Sequence, residues 1–89
     1  MTEDQIKAKL RKFIFEKFPL ARRQQHKDVD PLLESGILDS LGVLDLVHFA
    51  EQEFSIHIAD DELTPENFHS IDCITKFVRS KTVQNERTK

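Results

Sequence analysis

Lysine and arginine are missing from the whole middle of this 89-residue chain, with none from Asp28 through Thr75. The same span carries Asp28, Asp30, Glu34, Asp39, Asp45, Glu51, Glu53, Asp60, Asp61, Glu62, Glu66 and Asp72. The cations fall before it, from Lys7 to Lys27, and after it, from Lys76 to Lys89. A net charge of -3 therefore hides an acidic block. Such a block repels a phosphate backbone, which disfavours nucleic-acid binding here, and it attracts a basic protein partner. Part of it does no more than solvate a helical surface. A single cysteine, Cys73, excludes an intramolecular disulfide. With no basic-then-apolar leader at the N-terminus, a cytoplasmic location is expected. No apolar run approaches the roughly 18 residues that span a bilayer, so membrane insertion is not expected.

Glycine is also scarce: Gly36 and Gly42 are the only two. Alternation of β-branched residues is confined to Ser55-Ile56-His57-Ile58, too short to build a sheet, and an all-α domain is expected. A chain of this length makes one small domain, read as residues 1–81 with a polar tail over 82–89. Its modest core leaves no room for both a catalytic cleft and a binding lobe, which favours a carrier, adaptor or regulator over an enzyme.

What is present is helical. Thr2 and Gln5 form a capping box, and Ile6, Leu10, Phe13 and Ile14 recur at helical spacing, so a first helix runs from about Glu3 to Phe18, where Pro19 ends it. A second runs from about Ser40 to Phe54, with Val43, Leu46, Val47, Ala50 and Phe54 inward. Thr64 and Pro65 read as the cap and first residue of a short third helix ending near Phe68. Ser70 caps a last helix that buries Ile71, Ile74, Phe77 and Val78 and frays from about Thr82. The connection from Leu20 to Asp39 is long for so small a domain. Val29, Leu32, Leu33, Ile37 and Leu38 supply its packing, and Gly36 its positive φ. The result is a rigid loop that presents Asp39 and Ser40.

Ser40 thus stands in the first turn of an amphipathic helix, where unsatisfied N–H groups and the positive end of the helix dipole hold an attached anion. Its hydroxyl is a candidate for a covalent phosphodiester; the plain alternative is an ordinary N-cap, worth about 1 kcal/mol.

The succession LLESGILDSLGVLDLVHFAEQEFSIHI, Leu32 to Ile58, resembles the acyl carrier proteins and the related peptidyl, aminoacyl and D-alanyl carriers. In that family an Asp-Ser-Leu signature, here Asp39-Ser40-Leu41, opens the second helix of a four-helix bundle with a short third helix. The resemblance implies that Ser40 receives a 4'-phosphopantetheine arm from coenzyme A, whose thiol holds an acyl or aminoacyl thioester. Asp39 would help a phosphopantetheinyl transferase engage the site, and Leu41 would fix the helix start by packing. Further partners implied are an acyl- or aminoacyl-adenylating ligase and acyl-transfer or condensing enzymes, in fatty-acid, lipid or specialised secondary-metabolite biosynthesis. The chain would act as a stand-alone monomer, itself no enzyme. Asp45, His48, Glu51 and Glu53, with Asp60, Asp61 and Glu62, are the expected partner-facing residues.

Two departures stand out. Gly42 replaces the usual acidic or amide residue and costs a helix about 1 kcal/mol relative to alanine, which close approach of a partner or the arm, or loose selection at an exposed turn, would explain. His48 replaces an exposed hydrophobic residue and reads either as a partner contact or as a solvated histidine. The Gly42 departure and the later DELTPENFHSI are closer in pattern to carriers served by an adenylating ligase, the D-alanyl carriers among them. Other constellations fail. Asp28 and Asp30 begin like a calcium loop, but Leu32 and Leu33 stand where a ligand and the turn glycine belong. His69 and Cys73 lack further metal ligands, and Cys73 reads as a small buried residue. No Gly-x-Ser-x-Gly elbow surrounds Ser40, and Ser35 reads as a loop residue. The phenylalanines at 13, 18, 49, 54, 68 and 77 read as core. The competing function is a small helical interaction module with an acidic docking face and no prosthetic group; a third is a carrier-like structural subunit that is never loaded.

Overall fold

Helix α1 (Glu3–Lys17) begins where the capping box places it. The Thr2 hydroxyl accepts the Gln5 N–H at 3.2 Å, and the Gln5 amide oxygen accepts the Thr2 N–H at 3.0 Å. The computed structural model describes residues 2–25 and 27–87, with the side chains of Ser40 and of residues 83–87 outside that description. Ile6, Leu10 and Ile14 form the fully buried stripe of α1, and Phe13 packs at its edge. The Phe18 N–H closes the last turn onto the Ile14 carbonyl.

Pro19 ends α1 but also opens a helix of its own, α2 (Pro19–Arg23), inside the stretch expected to be loop. The reason is that proline's fixed φ and missing N–H suit a first helical position as well as they forbid a middle one. Ala21 is its buried residue. The rest of the connection is pinned from within and from outside. The Leu32 carbonyl accepts from the N–H groups of Ile37 and Leu38 and from the Ser35 hydroxyl. The Leu32 N–H donates to the His69 carbonyl at 2.8 Å, and the Asp72 N–H to the Asp28 carbonyl at 2.9 Å, tying the loop to the start of the last helix. Gly36 adopts the positive φ of 81° its turn needs. Leu32, Ile37 and Leu38 are buried as expected; Val29, 66% exposed, and Leu33 are not, because the loop offers them no facing element.

Helix α3 (Ser40–Phe54) buries Leu46, Val47, Ala50 and Phe54 and stops at Ser55, which takes the left-handed conformation (φ 54°) and donates to the Glu51 carbonyl. Ile56 and Ile58 then turn inward while Ser55 and His57 face out, so the short alternation marks an extended connector. A 3-10 turn follows at Asp60–Glu62.

The expected short helix at Thr64–Phe68 is a single turn. Both the Asn67 and Phe68 N–H groups converge on the Thr64 carbonyl, and the Thr64 hydroxyl caps Asn67 as expected. The turn cannot continue because Phe68 and Ser70 are drawn into the core and the His69 carbonyl is held by Leu32. Ser70 caps α4 (Ile71–Arg87), its hydroxyl accepting from the Cys73 N–H. The helix runs to Arg87, through residues expected to fray from Thr82.

The architecture is thus the all-helical bundle expected, with four helices and no strand among the described residues. Helix α1 packs chiefly on α4, with α2 against α1 and α3 against α4. Ile6, Leu10, Ile14, Leu32, Leu46, Ile71, Ile74 and Val78 are its fully buried centre. The phenylalanines are packing residues, as expected: Phe13 stacks on Phe49 (4.3 Å, 14°), and Phe18 and Phe54 meet that pair edge-on.

Candidate functional site

The start of α3 is capped by Asp39 and not by Ser40. The Asp39 carboxylate accepts the Gly42 N–H at 2.7 Å, and its carbonyl accepts the Val43 N–H at 2.9 Å. The ordinary capping role is therefore filled one residue earlier, and Ser40 is the first residue of the helix itself. That turn concentrates N–H groups without intrahelical partners and the positive helix end. Behind it, Leu38 and Ile37 are buried and Leu32 ties their N–H groups to the loop, so the approach to Ser40 is fixed on its N-terminal side.

Leu41 was expected to pack and does not: it is 73% exposed. With α3 lying on the bundle through Leu46, Val47 and Ala50, position 41 falls on the opposite side. Leu44, 49% exposed, and the exposed His48 continue from it at spacings of three and four residues along one face. The first turn thus presents an apolar strip to solvent. Leu44 belongs to this strip as well, and its offset from the buried stripe is the signal for it in the sequence.

Gly42 has an internal reason. A Cβ there would lie 3.0 Å from Cε1 and 3.3 Å from Cζ of the Phe18 ring, and 3.3 Å from Oδ1 of Asp39. The glycine is buried, so neither a visiting partner nor an exposed turn accounts for it. It lets the ring at the α1–α2 corner lie flush against the first turn of α3. No local pattern in the sequence foretells a contact between residues 18 and 42.

The partner-facing candidates divide by what already holds them. Asp45, His48, Asp60 and Asp61 face solvent; Asp45 approaches Lys17 only to 3.8 Å. Glu53 bonds Lys9 at 2.5 Å. Glu51 accepts the Ile58 N–H at 2.9 Å and stands 3.5 Å from His57. Glu62 is the most committed: its carboxylate accepts from Lys81 at 2.5 Å and from the Ala59 N–H at 2.9 Å. Its pKa is lowered, first by the Lys81 hydrogen bond and then by the Ala59 N–H.

No group of three or more His, Cys, Asp or Glu suited to a metal ion occurs among the described residues. Cys73 is half-buried where full burial was expected, because it lies at an open surface hollow with Pro65, Glu66 and His69. None of the described helices is long and apolar enough to cross a membrane.

In sequence, the chain is 37% identical over 49 residues to a probable acyl carrier protein, PigG, of a Serratia species (strain ATCC 39006). The match spans 55% of this chain and 56% of that relative, so about half of each is compared. No family model matches the chain. The likeness supports the acyl carrier protein family.

Proposed function

We propose that this chain, assigned to the acyl carrier protein family on that likeness, carries an acyl or aminoacyl group on a 4'-phosphopantetheine arm joined to Ser40. The observation that carries this reading is the cap. Because Asp39 closes the helix start onto Gly42, the N-cap position is taken by Asp39, and Ser40 stands as the first residue at the N-terminal, electropositive end of α3. The residues present fit a phosphodiester there: the Asp39 carboxylate is turned to the Gly42 N–H, and the neighbouring Leu41 and Leu44 lie open to solvent.

When attached, the arm supplies a terminal thiol that holds the cargo as a thioester for transfer. The chain's own residues hold and present it. Leu32, Ile37 and Leu38 fix the loop, Asp39 and Phe18 fix the first turn, and Leu41 with Leu44 offers apolar contact to a docking enzyme. The reading makes the chain a carrier and no catalyst, acting as a cytoplasmic monomer. Its partners would be a phosphopantetheinyl transferase, an adenylating ligase and acyl-transfer or condensing enzymes, in fatty-acid, lipid or specialised secondary-metabolite biosynthesis. Asp45, His48, Asp60 and Asp61 are the solvent-facing polar residues available to such partners.

The test is intact mass after incubation with coenzyme A and a broad-specificity phosphopantetheinyl transferase. Wild type should gain one arm and Ser40→Ala none. No gain on wild type, under conditions that load a known carrier, would remove the proposal.

A further inference from the structure

Taken pair by pair, the charges leave a basic surface that the acidic middle of the sequence conceals. Four cations of the N-terminal part face acids of the block: Lys7 meets Asp72 at 2.7 Å, Lys9 meets Glu53 at 2.5 Å, Arg11 bonds Asp28, and Lys17 lies 3.8 Å from Asp45. The side chains of Lys12, Arg22, Arg23 and Lys27 enter none of the ion pairs among the described residues. Two of these, Arg22 and Lys27, join Arg11 around one open cleft of about 540 Å³, completed by Phe15, Gln25 and Asp28.

The cleft is built by local structure. The Arg11 guanidinium is held between the Phe15 ring, 5.0 Å from its centroid, and the Asp28 carboxylate. Asp28 is itself fastened to α4 through the bond from the Asp72 N–H to its carbonyl. After Arg22 the chain turns at Gln25, which takes the left-handed region (φ 51°) with its N–H on the Arg22 carbonyl. Lys27 is fixed at its backbone, donating to the Asp30 carboxylate while its carbonyl accepts the Asp30 N–H. Such a positive-φ residue is tolerated where the surroundings determine it.

The lining sets three cations against the Asp28 carboxylate, and with Asp30 beside Lys27 the surroundings still keep one positive charge in excess; guanidinium forks match phosphate oxygens in geometry. The volume lies in the range of small-molecule sites. We propose that this cleft binds a phosphate-bearing small anion of the pyrophosphate type, with Arg22 and Lys27 on its oxygens and Arg11 directing its remaining N–H groups inward. None of the lining residues belongs to α3, so the site stands apart from the reading at Ser40.

The experiment is an amide NMR titration of the full chain with sodium pyrophosphate and, separately, with ADP, each against sodium chloride at matched low ionic strength. Saturable shifts confined to the residues around the cleft are expected. Arg22→Gln and Lys27→Gln should each weaken binding about 5-fold, while Ser40→Ala leaves it unchanged. Equal affinity for the two ligands assigns recognition to the phosphates alone, and tighter ADP binding assigns the nucleotide as the source. Shifts that chloride reproduces at the same ionic strength, or binding that survives undiminished in both cleft variants, would overturn the proposal.

Discussion

The two ends of α3 use their side chains in opposite ways. At the C-terminal end Glu51 and Glu53 are bonded to Ile58 and Lys9, Phe54 is buried, and Ser55 turns the chain out of the helix. At the N-terminal end the backbone is equally well fixed, by Asp39 and the Phe18 ring, yet Leu41 and Leu44 face solvent. A fixed backbone carrying uncommitted side chains suits presentation; a fixed backbone carrying committed ones suits stability. The difference supports the proposed attachment site at the N-terminal end, whose first turn carries no acidic side chain of its own.

The sharpest way to break that contrast is to loosen the loop behind the presenting end. Leu32→Ala removes a fully buried side chain and should cost about 2–5 kcal/mol in denaturant unfolding, with loading at Ser40 slowed under conditions where the variant is still folded. A loss below 1 kcal/mol would mean that the loop is not the stage proposed for it.

Next in size is the cap. Asp39→Ala should lose about 1 kcal/mol of stability, and Asp39→Asn, which can still accept from Gly42, much less. Equal losses in both would assign the effect to charge instead of capping.

Gly42→Ala sets a gain in helix propensity of about 1 kcal/mol against a Cβ pressed on Phe18 and the Asp39 carboxylate. Overpacking costs about 1–3 kcal/mol, so a net loss near 1 kcal/mol is expected, recovered in part when Phe18→Leu makes room. A simple gain in stability would show that the ring yields freely.

The smallest effect belongs to the exposed strip: Leu41→Ser should change stability by no more than about 0.5 kcal/mol. A larger loss would restore the packing role expected of Leu41 from the sequence.

What could be read from the sequence was what local rules govern. The Thr2–Gln5 box, the Ser70 cap, the positive φ of Gly36 and the buried stripes of α1, α3 and α4 all depend on residues a few positions apart. Helix α2 is not legible because a proline after a helix signals a stop and a new first turn equally well. The reason for Gly42 and the neutralisation of Glu53 by Lys9 escaped for a different cause: each joins residues far apart in the chain. The charge block illustrates the same point, since its acids meet cations of α1 and α4 only once the bundle has closed. At the candidate site the Asp39-Ser40-Leu41 signature was plain, whereas the exposure of Leu41 needed the orientation of α3.

The most direct measurement is fragmentation mass spectrometry of the chain after enzymatic loading from coenzyme A, locating the modified residue. The phosphopantetheine should be found on Ser40 alone, at one arm per chain. An unmodified Ser40, or an arm attached at Ser35 or another hydroxyl, would contradict the division of α3 into a presenting end and a structural one.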